Sequence, residues 1–246
     1  MKIHVHHTPL ESGDRASQAL LENLAASPSR VVGVATGSSP LPLYRALAER
    51  VENGLDLRTL TVVALDEYVG LASGHPQSYR AFIERDVAAP LRLDPALVYV
   101  PDGTADDPEQ ACRQFEEQLQ AIGDVSVQIL GIGENGHIAF NEPGTVVHSR
   151  TRVVKLSEST RTANARFFGP RAEVPTHAIT QGMASILAAK HIILLAHGPA
   201  KAAATAAAVS GDVSPACPAS FLQLHPSVDV FLDADSAAML TDATRT

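Results

Sequence analysis

Cysteine is scarce in this chain. Only Cys112 and Cys217 occur among 246 residues, and no C-x-x-C pair is present. A zinc ribbon and a disulfide framework are excluded, and two buried reduced thiols are expected. Blocks of Lys or Arg are also lacking, and the formal net charge is −8. Nucleic acid is therefore not expected as a partner, and a small molecule is. An acidic protein that binds an anion must do so with local donors, because its overall field opposes it. The N-terminal MKIHVHHTPL has no apolar core of signal-peptide length. The longest strongly apolar run, HIILLA (191–196), falls far short of a membrane span. A cytoplasmic protein with no membrane partner is the expectation. Linkers, internal repeats and low-complexity tracts are missing, so one domain over 1–246 is expected. No metal cluster is evident either. His4 and His6 alternate onto one face of a strand, with no third ligand in view.

What is present is an ordinary globular composition, 45% hydrophobic and 19% charged. Short β-rich runs alternate with helical ones. RVVGVAT (30–36), LTVVALD (60–66), VSVQILG (125–131) and HIILLAH (191–197) are almost continuously apolar, as strands covered on both faces should be. KIHVHH (2–7), LVYV (97–100), TRVVKLS (151–157) and VDVFLD (228–233) complete the expected strands. Between them, Leu20, Leu21 and Leu24 mark one helical face. Leu43, Leu47 and Val51 mark a second, and Tyr79, Phe82, Ile83 and Val87 a third. Cys112, Phe115, Leu119 and Ile122 mark a fourth. This alternation predicts an α/β fold: a mostly parallel sheet with helices on both faces, doubly wound and Rossmann-like. Residues 143–165 fit the core least well and are a candidate lid.

Ligands of such sheets bind at the carboxyl ends of the strands, which selects four loops. Thr36, Gly37, Ser38, Ser39 and Pro40 form a strand–turn–helix junction with the features of an anion cradle, and it matches neither a P-loop nor G-x-G-x-x-G. Asp66 and Glu67 stand at the next strand exit, where a carboxylate can cap a turn or act as a base. GIGENGHIAFNEPG (131–144) crowds glycines around His137, the natural acid/base, with Glu142 five residues on to orient it. Lys201 falls in the first turn of an Ala-rich helix. That is an unfavourable place for a cation, unless an anion sits between it and the helix end. Arg161 and Arg166 could each reach a phosphate with a planar fork. Together these groups suit a phosphorylated small molecule that undergoes proton transfer.

TGSSPLPLYRAL (36–47), LDEYVGL (65–71), HPQSYRAFI (75–83), LGIGENGHIAFNEPG (130–144), SRTRVVKLSESTRTANARFF (149–168) and LQLHP (222–226) resemble the glucosamine-6-phosphate deaminase family, in order along nearly the whole chain. The related 6-phosphogluconolactonases share a G-x-G-x-x-G-H-type loop, but IAFNEP after the histidine favours the deaminases. The resemblance implies conversion of glucosamine 6-phosphate and water to fructose 6-phosphate and ammonia, without cofactor or metal. It implies that His137 opens the sugar ring, that Glu142 tunes it, and that Asp66 moves a proton from C2 to C1. It also implies that Thr36, Gly37, Ser38, Ser39, Arg166 and Lys201 hold the phosphate. Two positions depart from the pattern of some family members. Asn135 stands where some carry an Asp that acts with the histidine, though Asn is also seen in the family, and Val154 stands where the allosterically activated hexameric members carry a Lys. A monomer or small homo-oligomer without activation by N-acetylglucosamine 6-phosphate is expected. A lactonase and a silent sugar-phosphate sensor are the competing readings.

Overall fold

The computed structural model describes residues 1–72, 74–168 and 173–241, excluding the side chains of Ser159, Ala163, Arg166 and Phe167. Its strands are β1 (Lys2–His6), β2 (Val31–Val34), β3 (Thr61–Ala64), β4 (Asp66–Tyr68), β5 (Val98–Tyr99), β6 (Val127–Gly131), β7 (Arg152–Lys155), β8 (His177–Thr180), β9 (His191–Ala196) and β10 (Val228–Asp233). Its α-helices are α1 (Pro9–Ala26), α2 (Leu41–Glu52), α3 (Tyr79–Ile83), α4 (Pro108–Ile122), α5 (Glu158–Phe168), α6 (Met183–Ile186) and α7 (Ala202–Ser210). A π-helical turn, Glu84–Ala88, continues α3.

Seven strands form one sheet in the order β1-β10-β9-β6-β2-β3-β5, and every pairing is parallel. The period-2 alternation of the central strands builds both cores. Ile193 and Leu195 of β9 face α1 and α2 beside Leu20, Leu24, Leu43 and Leu47. Ile192 and Leu194 face the opposite layer beside Met183, Ile186, Ala204 and Ala208. Burying each such branched side chain contributes roughly 1.5–3 kcal/mol.

Helix starts follow from local chemistry. Thr8 caps α1 by accepting the Glu11 amide at 3.2 Å, and Asp107 caps α4 by accepting the Gln110 amide at 3.0 Å. Each cap precedes a proline, which loses nothing at the first helical position because no intrahelical partner awaits its amide.

Two features differ from the sequence expectation. A second, three-stranded antiparallel sheet, β4-β8-β7, stands beside the first. Its strands are short, and only β7 shows in the hydrophobic pattern. Within the stretch expected as a lid, residues 152–155 belong to β7 and 158–165 to α5. The Ala-rich helix begins later than its sequence suggests, because Pro199–Lys201 is a 3-10 turn that leads into α7. Cys112 is buried as expected, whereas Cys217 is only half-buried. The N-terminal histidines stack on Phe231, with ring centroids at 4.6 Å for His4 and 6.2 Å for His6. Asp229 lies 2.7 Å from His4 and 3.0 Å from His191.

Candidate active site

Chain order fixes the location. From β2 the chain runs to β3 and β5 on one side, while β6, β9 and β10 lie on the other. The C-terminal ends of β2 and β6 therefore flank the crevice where connections diverge, the usual ligand site of open α/β sheets. A Cβ built on Gly131, at the end of β6, would stand 3.6 Å from the Ser39 Cβ. The loops after β2 and β6 are thus immediate neighbours.

On the β2 side, Gly37 has φ +89° and turns the chain toward α2. Ser38 is exposed, and Thr36 and Ser39 are half-buried. The helix that follows has no side-chain cap. Its first amides are left for an anion, which the helix dipole favours. The Tyr44 hydroxyl ties the loop to α2 by donating to Ala35 O at 2.8 Å. The Tyr79 hydroxyl shares a hydrogen bond with Thr36 and donates to the Tyr68 hydroxyl at 3.3 Å.

The two acids at the β3 exit have separate fates. Glu67 accepts the amides of Tyr68, Tyr79 and Arg80 at 2.8, 2.9 and 2.9 Å, which fastens β4 to the start of α3. Its carboxylate is committed to structure. Asp66 is buried, and among the described residues no donor reaches its side chain. Burial, and then the neighbouring Glu67, push its pKa well above the usual carboxylate value. A carboxylate held without donors is a strong proton acceptor once ionised.

After β6 the chain folds back on itself. Gly133 N–H donates to His137 O at 2.9 Å, and Gly136 N–H donates to Gly133 O at 3.0 Å. The imidazole lies so close to Gly133 that any Cβ there would overlap the ring. Asn135 then joins His137 to Glu142. Its Oδ1 accepts the His137 amide at 3.2 Å and stands 2.7 Å from His137 Nδ1, while its Nδ2 donates to Glu142 Oε2 at 2.7 Å. The amide orientation follows from these partners. An ionised carboxylate only accepts, so Nδ2 must face Glu142 and Oδ1 must face the imidazole. Nδ1 therefore carries the proton, and Nε2 keeps its lone pair. His137 Nδ1 and Glu142 Oε2 are 3.7 Å apart, so the amide makes the shorter contacts.

Burial lowers the His137 pKa. Glu142 opposes that effect, and the Lys201 charge adds to it. The net direction favours the neutral ring. That influence also places Lys201, which follows β9, within electrostatic reach of the imidazole. For Glu142, burial alone would raise the pKa, but Thr160, the His137 charge, Asn135 and Ser157 outweigh it and hold the carboxylate below its usual range. Thr36 to Ser39, Asp66, the His137 loop and Lys201 thus follow the ends of β2, β3, β6 and β9. The Asp66 side is tied to the His137 loop through Thr180, which pairs with Asp66 and whose hydroxyl accepts the Phe140 amide at 3.2 Å. The backbone of Arg166 lies in α5, but its side chain lies outside the described residues. Arg161 donates to Val174 O at 3.1 Å and so braces α5. His75 stacks on Phe168 at 5.9 Å, as a turn residue.

Sequence reasoning missed Thr160, Asn164 and the Tyr68–Tyr79 pair. Asn164 Nδ2 donates to the Tyr68 hydroxyl at 2.8 Å. The only sequence signal is S-x-x-T over 157–160, a cap-type spacing at the start of α5.

Comparison with known proteins fits this geometry. Residues 10–230 match the family described as glucosamine-6-phosphate isomerases/6-phosphogluconolactonase. A glucosamine-6-phosphate deaminase of Beutenbergia cavernae is 51% identical over 224 residues, 90% of this chain and 85% of that one. One from Streptomyces avermitilis is 48% identical over 230 residues, 93% of this chain and 88% of that one. A solved monomeric glucosamine-6-phosphate deaminase superposes with a TM-score of 0.93 at 40% identity, covering 97% of this chain and 100% of that one. A 6-phosphogluconolactonase from Trypanosoma brucei shares the fold, with a TM-score of 0.79 at 21% identity over 98% of each chain. The chain belongs to the family of glucosamine-6-phosphate isomerases and 6-phosphogluconolactonases, and within it to the glucosamine-6-phosphate deaminases.

Proposed function

We propose that this chain, acting as a single cytoplasmic α/β unit and a monomer, converts glucosamine 6-phosphate and water to fructose 6-phosphate and ammonia. Two observations support this reading: a buried, donor-free Asp66 at the β3 exit, and a His137 on the loop after β6 whose Nε2 is the basic nitrogen. Ring opening needs a group that takes the proton of the anomeric hydroxyl and returns one to the ring oxygen. Neutral His137 fits that role, and Glu142, through Asn135, stabilises the imidazolium formed in between. Asp66 then takes the C2 proton of the open-chain sugar and delivers a proton to C1. The C2–H bond breaks and O1 takes a proton, giving an enolamine; a C1–H bond then forms as the amine gives up a proton, and a C=N bond is left at C2. Water adds at C2 and ammonia leaves. A positioned base contributes about 10²–10⁴-fold to such a step.

The phosphate lies away from the reacting carbons. Thr36, Gly37, Ser38, Ser39 and the uncapped start of α2 supply donors to it, Lys201 supplies charge, and Arg166 completes the set. Binding energy gained there orients C2 against Asp66. Neither step requires a cofactor.

Ammonia release from glucosamine 6-phosphate tests the proposal directly. Turnover of a 6-phosphogluconolactone without ammonia release from the amino sugar would instead identify a lactonase. Binding of the amino-sugar phosphate without turnover of either compound would identify a sensor.

A further inference from the structure

We propose that Thr160, assisted by Ser157, is a positioning residue that turns Glu142 toward Asn135, so that docking of α5 and alignment of the His137 imidazole are a single event. This rests on the deaminase reading for its consequence, but not for its geometry. Thr160 is buried at the start of α5. Its hydroxyl donates to Glu142 Oε1 in a short hydrogen bond. Ser157 Oγ stands 3.0 Å from the same oxygen and 2.9 Å from Thr160 Oγ1, and it accepts the Thr160 amide at 3.1 Å. Ser157 is therefore the helix cap, and Glu142 closes the cap from outside.

The two carboxylate oxygens are divided between two structures. Oε1 belongs to α5, and Oε2 receives the Asn135 amide. A carboxylate held at one oxygen by a helix end has its other oxygen aimed. One turn further on, Asn164 occupies the same face of α5 and donates to the Tyr68 hydroxyl, which also receives Tyr79. The inner face of α5 thus touches both the imidazole array and the tyrosine pair that leads to Thr36. The charged groups acting on His137 are Glu142, Lys201 and Glu134. The one acting on Glu142 is His137.

Thr160→Val keeps the volume and the backbone cap and removes only the donor. The expected result is a Glu142 carboxyl carbon that titrates about one pH unit higher by carbon-13 NMR, consistent with loss of one charge-assisted hydrogen bond. The kcat should fall about tenfold, and KM should change little. Thr160→Ser, which returns the hydroxyl, should restore both the titration and kcat. Asn164→Leu loosens α5 without touching Glu142 and should leave the titration in place. An unshifted titration in Thr160→Val overturns the proposal, as does an equal shift in Asn164→Leu, which would reflect general loosening of the helix. If the wild-type enzyme releases no ammonia, the deaminase reading fails alone, and the carboxyl titration still decides the positioning role.

Discussion

Asn135 Oδ1 stands 2.7 Å from His137 Nδ1. A neutral side chain therefore fixes the tautomer of the ring without adding charge.

Asn135→Asp places an anion at that point and removes a donor from Glu142. Burial holds the His137 pKa down, and a new negative neighbour raises it. The neutral ring is the active form, so the acid limb of kcat/KM should move to higher pH, by about one unit. Asn135→Leu abolishes tautomer control and should lower kcat by about 10²-fold. A pH–rate profile of ammonia release reads both, and an unmoved limb in Asn135→Asp would refute the account of the ring.

Asp66→Asn should abolish turnover, a loss of at least about 10²–10⁴-fold, while binding of the sugar phosphate survives. It should also stabilise the fold. The folded pKa of Asp66 is raised, so its contribution to stability is full below the unfolded value and is lost as pH rises through the folded one. The amide has no such loss. A gain in stability at pH 7, shrinking toward zero in acid, is expected from denaturant titrations at the two pH values. Destabilisation at pH 7 would contradict the burial argument.

Two glycines of one loop should respond differently to alanine. At Gly133 the added Cβ would strike the imidazole, so Gly133→Ala should lower kcat by about 10²-fold with little change in Tm. At Gly136, φ is +82° and the Cβ would meet the Cys217 sulfur at 2.5 Å. Gly136→Ala should therefore destabilise the protein by about 1–3 kcal/mol. Thermal melts and steady-state kinetics of the pair separate the two effects.

Val154 packs against the cluster of Tyr68, Phe140 and Leu156. An apolar side chain is thus built into this position, which the family resemblance makes the one to compare with the lysine expected of allosteric members. Saturation with glucosamine 6-phosphate should be hyperbolic, and N-acetylglucosamine 6-phosphate should leave it unchanged. Sigmoidal kinetics relieved by that ligand would overturn this.

The parallel sheet was legible because its strands carry their own signal. HIILLA and VVGV are apolar on both faces, and only a doubly covered strand reads that way. The second sheet was not, since DEY and HAIT are too short for a period to register, and Asp66 and Glu67 take their burial from tertiary packing. The same limit applied to chemistry. His137 and Glu142 could be paired from their spacing, but the placement of Asn135 between them depends on how the loop folds over Gly133. Glu67 and Asp66 are indistinguishable as letters. Three amides arriving from β4 and α3 separate them. Thr160 reaches Glu142 across a sequence separation of 18 residues, beyond any local pattern.

Because β2 and β6 send the chain outward in opposite directions, the β1 and β5 margins of the sheet lie away from the central cleft. Fusion partners or immobilisation tags attached near either margin should be tolerated by the catalyst, whereas an insertion after β2 or β6 would enter the substrate's own space.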